Sequence, residues 1–110
     1  MSNAGSPSQH GRNDASVLIL TSLASGAKHG HALLKDVEEF AGVKLGPGTL
    51  YGAITRLEEQ GLIEPLAASD RRRPYQITAK GASALARATA EMRRIADVGA
   101  TRLKLLPGAS

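Results

Sequence analysis

Three stretches of this chain carry side chains that could do chemistry. Arg71-Arg72-Arg73 puts three guanidinium groups in consecutive positions. Gly46-Pro47-Gly48-Thr49-Leu50-Tyr51 places small and hydroxyl residues at what reads as the head of a helix. His29 and His31 stand two positions apart. The arginines suit phosphate, because affinity for nucleic acid comes largely from neutralising phosphates and releasing counterions. The same run also reads as an ordinary solvated turn, and only its context separates the two. The histidines do not suit a metal. Residues two apart on a helix point in different directions, and no acidic residue stands at a recognisable ligand spacing from them. A capping or surface role is the simpler expectation, and no cofactor or metal is expected. Nucleophile-elbow, P-loop and dinucleotide-binding patterns are absent, so the chain does not read as an enzyme.

These residues need elements to position them. Asn13 or Asp14 can cap a first helix through Val17, Leu18, Leu20, Leu23 and Ala24, with Gly26 in the left-handed position after it. A second helix is predicted over about 30–41. Leu33, Leu34, Val37, Phe40 and Ala41 recur there at three- and four-residue steps, and Gly42 stops it. Pro47 suits the first position of a third helix, where its missing N–H costs nothing. Leu50, Ala53, Ile54 and Leu57 form its buried stripe, and Gly61 ends it. Residues 62–66 read as a short strand with Pro65 at its edge, 67–74 as a polar turn, and Tyr75-Gln76-Ile77 as the returning strand. Thr78 caps a last helix from Ala79 to about Leu106, which Pro107-Gly108 terminates. Three helices, a hairpin and a long helix are mainly α with a small β-hairpin: a winged helix-turn-helix followed by a long C-terminal helix.

The expected domains are a disordered arm at 1–12, a winged helix at 13–78, a dimerisation helix at 79–106 and a tail at 107–110. Met1-Ser2-Asn3-Ala4 reads as an expression remnant, and the arm lacks the apolar centre of a signal peptide. The 110 residues support one small domain, which gains from oligomerisation. The absence of Cys excludes disulfides and thiol chemistry and suits a reducing compartment. No apolar run approaches ~18 residues, so no membrane span is expected.

The net charge of +4 is unevenly spread. Residues 1–40 carry three basic and four acidic side chains, residues 41–81 six and four, and residues 82–110 five and two. The excess lies in the hairpin and the last helix. On the third helix, steps of 100° from Leu50 place Gly48, Gly52, Thr55 and Glu59 opposite the buried side. Thr49 and Arg56 take one flank, Tyr51 and Glu58 the other. Gly52 inside a helix costs about 1 kcal/mol relative to Ala. Either Gly48 and Gly52 let the backbone approach a phosphate or base edge, or they let another helix pack closely. Tyr51 could bond a phosphate or be a half-buried residue with a wet tip. The candidate DNA-contacting set is Gly48, Thr49, Tyr51, Gly52, Thr55, Arg56, Arg71, Arg72 and Arg73.

Gly46-Pro47-Gly48-Thr49-Leu50-Tyr51, Leu57-Glu58-Glu59-Gln60-Gly61-Leu62-Ile63-Glu64 and Arg73-Pro74-Tyr75-Gln76-Ile77-Thr78-Ala79-Lys80-Gly81 closely resemble the PadR family of bacterial transcriptional regulators. Lys28-His29-Gly30-His31-Ala32-Leu33 resembles the family's His-Gly start of the second helix. The resemblance implies a cytoplasmic, nucleoid-associated repressor that binds a palindromic operator as a homodimer. It resembles the short form, whose single C-terminal helix dimerises. It implies that Gly48, Thr49 and Tyr51 contact DNA from the recognition helix and that Arg71, Arg72 and Arg73 do so from the wing. It also implies a small-molecule effector, of unknown identity, between protomers. The chain departs from the family pattern at Gly46, usually a Ser cap, at Gly52, often Pro, and at His31, usually Tyr. It has no Trp, so the tryptophan sandwich that some members use for flat drugs is not expected.

A heptad seam through 85, 88, 92, 95, 99, 102 and 106 is apolar only in its first half, because Gly99 and Arg102 break it. A strict two-stranded coiled coil is therefore not expected. The predicted dimer contacts are Leu85, Ala88, Met92, Ile95, Gly99, Leu103 and Leu106. The rival is a helix folded back on its own domain, but about 28 residues at 1.5 Å each outreach so small a body. The rival function is a winged-helix protein–protein adaptor that leaves DNA alone, which would not need the arginine run and would depend weakly on salt.

Overall fold

The structure, a computed structural model, describes residues 7–67 and 72–108, with side chains from Ala15 onward. The elements are α1 (Pro7–Ala24), α2 (Gly30–Ala41), α3 (Pro47–Glu59), β1 (Ile63–Pro65), β2 (Tyr75–Ile77) and α4 (Ala79–Lys104). The helix α1 begins at Pro7 and runs through Asn13 and Asp14, so neither is its cap and residues 7–12 are helical. Proline again suits the first position, whose N–H an α-helix does not use. Its inward face is Ala15, Ile19, Ser22 and Leu23, with Leu20 beside them. Steps of 100° gather these four on one side and put Ala24 opposite, where it is exposed. Gly26 turns the chain at φ 149°, a glycine conformation outside the left-handed helical region expected there.

Helix α2 has the predicted bounds, and Gly42 closes it in the left-handed conformation at φ 68° with its N–H on Glu38 O at 2.9 Å. Leu33 and Val37 are buried, but Phe40, expected on the same face, is 46% exposed. It lies in the last turn of α2, beyond the reach of the core. All four predicted stripe residues of α3 are buried. The core joins them to Ile19, Leu20 and Leu23 of α1, Leu33 of α2 and Ile63 of β1.

The strands pair antiparallel with Ile63 opposite Ile77 and Pro65 opposite Tyr75. Lys28, between α1 and α2, forms a separate antiparallel bridge with Tyr75. Its N–H donates to Tyr75 O at 3.1 Å, and Tyr75 N–H donates to Lys28 O at 2.9 Å. The Lys28 ammonium turns the other way, donating to Ser22 O at 2.5 Å and Ser25 Oγ at 2.8 Å. Ser22, 1% exposed, donates from Oγ to Asp36 Oδ2 at 2.6 Å. One lysine thus ties the end of α1, the flank of α2 and the start of β2 together.

Thr78 caps α4 as expected, accepting from Gly81 N–H at 3.0 Å. Leu85 packs on the core, and every residue from 90 to 108 is exposed. On this helix, steps of 100° place Leu85, Ala88, Met92, Ile95, Gly99 and Leu103 within about 80° of arc, while Leu106 lies beyond the helix, which ends at Lys104 and not at about Leu106 as expected. The stripe therefore continues through Leu103, and Arg102 sits at its edge. A period of 3.6 carries the stripe past Arg102 to position 103. The architecture is mainly helical with one small hairpin and a long final helix.

Candidate nucleic-acid interface

The outer side of α3 is open. A Cβ at Gly48 would meet nothing within 4 Å, and one at Gly52 would meet only Arg56 Nη1, at 3.7 Å. Among the described residues no other helix packs on either glycine. Thr49, Thr55 and Arg56 are exposed on the same helix. Thr55 donates its hydroxyl proton to Tyr51 O at 2.9 Å, so in this rotamer it offers an outside partner only acceptor lone pairs. That makes it a poor phosphate contact. The first turn has no side-chain cap at Gly46, which leaves its N–H groups free.

Tyr51 is 52% exposed and leans toward the start of α2. A Cβ in place of a Gly30 hydrogen would lie 2.5 Å from Tyr51 Oη, so the tyrosine needs glycine there. The half-exposed side chain reaches from α3 to the start of α2. Beside it runs a groove of about 520 Å³, lined by His29, Gly30, His31, Ala32, Lys35, Tyr51, Arg72, Arg73 and Tyr75. Two arginines, a lysine and two histidines line it, and no carboxylate does among the described residues. His29 occupies the cap position of α2 without capping it; its Nε2 instead faces Arg72 Nη1 at 3.4 Å.

The predicted contacts therefore fall into two groups. Gly48, Thr49, Gly52, Thr55 and Arg56 share the open face of α3. Tyr51, Arg72 and Arg73 meet at the groove, while Arg71 lies outside the described residues. His29, His31, Lys35 and Tyr75 belong to this groove, and the sequence does not single them out as DNA contacts. No local spacing marks them, since the groove forms only when Lys28 pairs with Tyr75. Among the described residues no group of His and acidic side chains could hold a metal, and no helix is long and apolar enough to cross a membrane.

Comparison with known proteins agrees with this geometry. Residues 19–87 match the transcriptional regulator PadR-like family. The chain is 43% identical over 83 residues to an uncharacterized 37.1 kDa protein in a transposon of Streptomyces fradiae. That match takes in 76% of this chain but only 24% of the relative, so the chain spans about a quarter of that protein. Its fold is similar to that of a PadR family transcription regulator from hypervirulent Clostridium difficile, with a TM-score of 0.74 and 28% identity over 81% of this chain and 97% of that one. A transcriptional regulator from Clostridium thermocellum is also similar, with a TM-score of 0.71 and 26% identity over 78% and 89% of the two chains. With the family matched over most of its length and the winged-helix geometry in place, this chain belongs to the PadR-like family of transcriptional regulators, proteins that regulate transcription rather than catalyse reactions.

Proposed function

We propose that the chain is a DNA-binding repressor that acts as a homodimer on a palindromic operator. The observation that carries this is the juxtaposition of two surfaces: the unobstructed face of α3 at Gly48 and Gly52, and the adjoining groove with its cationic lining. A helix that enters the major groove needs close backbone approach, and the phosphates flanking that groove need cations beside it. In this reading Gly48, Thr49, Gly52 and Arg56 face base edges or the nearest phosphates. Tyr51, Arg72 and Arg73, continued by Arg71, hold the backbone.

The homodimer rests on α4. Its stripe from Met92 to Leu103 includes Ile95, 62% exposed, and has no cover among the described residues. A second copy presenting the same stripe would bury it about a two-fold axis and set two α3 helices about one DNA turn, ~34 Å, apart. An effector pocket would then form between protomers, and with no Trp in the chain it would not stack ligands between indoles. The domain assignment follows the same division, with residues 13–78 as the DNA-binding unit and 79–106 as the dimerising one.

The test is selection of bound duplexes from a random pool. Enrichment of an inverted repeat with half-sites about one turn apart supports DNA binding and two-fold symmetry together. A pool that stays random, with retention indifferent to salt, would instead fit a protein–protein adaptor.

A further inference from the structure

The groove beside α3 holds a contact that DNA must disturb. Arg72 Nη1 points at His29 Nε2 across 3.4 Å. A guanidinium can only donate, so this contact is a hydrogen bond only while Nε2 carries no proton and accepts. On the same helix His31 and Lys35 line the groove, Tyr51 faces it from α3, and Arg72, Arg73 and Tyr75 face it from the hairpin. Lys28, next in sequence, turns its ammonium to Ser22 O and lies 3.9 Å from Asp36 Oδ2, so that carboxylate is engaged away from the groove. A positive charge on His29 would stand against Arg72, and among the described residues no carboxylate lines the groove.

A phosphate diester seated there reverses the balance. Its oxygens accept from Arg72 and, once Nε2 carries a proton, from His29 as well. The diester itself does not titrate between pH 5.5 and 8, so any proton taken up on binding belongs to the protein. We propose that His29 couples DNA binding to proton uptake: a backbone phosphate enters between Arg72 and His29, His29 becomes an imidazolium donor, and the regulator holds DNA more tightly as pH falls. This rests on the DNA-binding reading above and adds a regulatory input to the same groove. By linkage, acid that favours binding and DNA that favours the protonated imidazole are the same coupling.

The test uses the full chain and a labelled 24-base-pair duplex of random sequence, with anisotropy titrations at fixed ionic strength from pH 5.5 to 8. Affinity should rise at least about tenfold from pH 8 to pH 6, the interval over which imidazoles titrate. His29→Gln should flatten that dependence, and His31→Gln should keep it. Calorimetry of the unaltered protein in two buffers of different ionisation enthalpy should show proton uptake on binding near neutral pH, a result that needs no variant to fold. A flat pH profile with intact binding, or a slope that survives His29→Gln, overturns the coupling and leaves DNA binding standing. No binding to any duplex across the pH range overturns both.

Discussion

Replacing Gly52 by alanine separates the stability of this protein from its affinity for DNA. In the free protomer the added methyl meets only the far end of the Arg56 side chain, 3.7 Å away, at ordinary van der Waals distance. Gly52 lies inside α3 and has no positive φ, so alanine fits the backbone. Removing glycine from a helix interior is worth about 1 kcal/mol, chiefly by reducing the freedom of the unfolded chain. Thermal unfolding followed by circular dichroism should therefore show a Tm raised by roughly 4 °C for a domain of this size. Binding should move the other way. If the α3 backbone approaches DNA at Gly52, a methyl there is overpacked, at a cost of about 1–3 kcal/mol per half-site. That is roughly fivefold to a hundredfold in affinity for each half-site. The assay is a fluorescence titration of Gly52→Ala against the selected operator at fixed salt. A raised Tm with unchanged affinity would refute the close-approach argument for α3. A lowered Tm would refute the open surface itself, because something would then have to cover Gly52 in the free protein.

The same substitution at Gly81 should have the opposite sign on stability: a Cβ there collides with the Leu62 carbonyl and lies 2.9 Å from Ile77 Cγ1, so Gly81→Ala lowers Tm markedly despite alanine's better helix propensity. Replacing Arg71, Arg72 and Arg73 together by alanine should weaken binding to all sequences and flatten the plot of log K against log salt by about 0.9 for each phosphate that the protein no longer neutralises. An unchanged slope in such titrations would remove the hairpin from the interface. Ile95→Glu with Met92→Glu sets like charges on the exposed stripe of α4; if that stripe pairs two copies, sedimentation at micromolar concentration should show a dimer for the unaltered chain and a monomer for the variant.

Helices α2 and α3 are legible in the sequence because their information is local. Leu50, Ala53, Ile54 and Leu57 repeat at helical spacing, Pro47 opens the helix, Gly42 closes its predecessor, and Thr78 accepts from Gly81 three positions on. Each of these depends on residues within one or two turns. The start of α1 is harder to read. Asn13 and Asp14 have the side chains of caps, but nothing local stops a helix that Pro7 has already begun six residues earlier. Phe40 belongs by spacing to the apolar face of α2, yet the core ends before its turn, and spacing does not report where a core ends.

The open face of α3 is visible in the sequence as a set of residue types, since Gly48, Gly52 and Thr55 fall opposite Leu50 by simple rotation. Whether those glycines admit DNA or another helix is undecided at that level, because sequence does not say what lies across an empty surface. The structure resolves the part that concerns the protomer: among the described residues no helix packs there. The groove is invisible in the sequence for a related reason. His29 lies 43 residues from Arg72, and the two meet only because the Lys28 backbone pairs with Tyr75 and draws the hairpin onto the start of α2. Local periodicity and end signals marked by themselves most segments as helix or strand and which face of each is apolar, while the resemblance to a family rests on the residue strings at 46–51, 57–64 and 73–81. The meeting of Arg72, Tyr51 and His29 was decided by tertiary structure alone, because it depends on backbone hydrogen bonds between segments that sequence spacing does not relate.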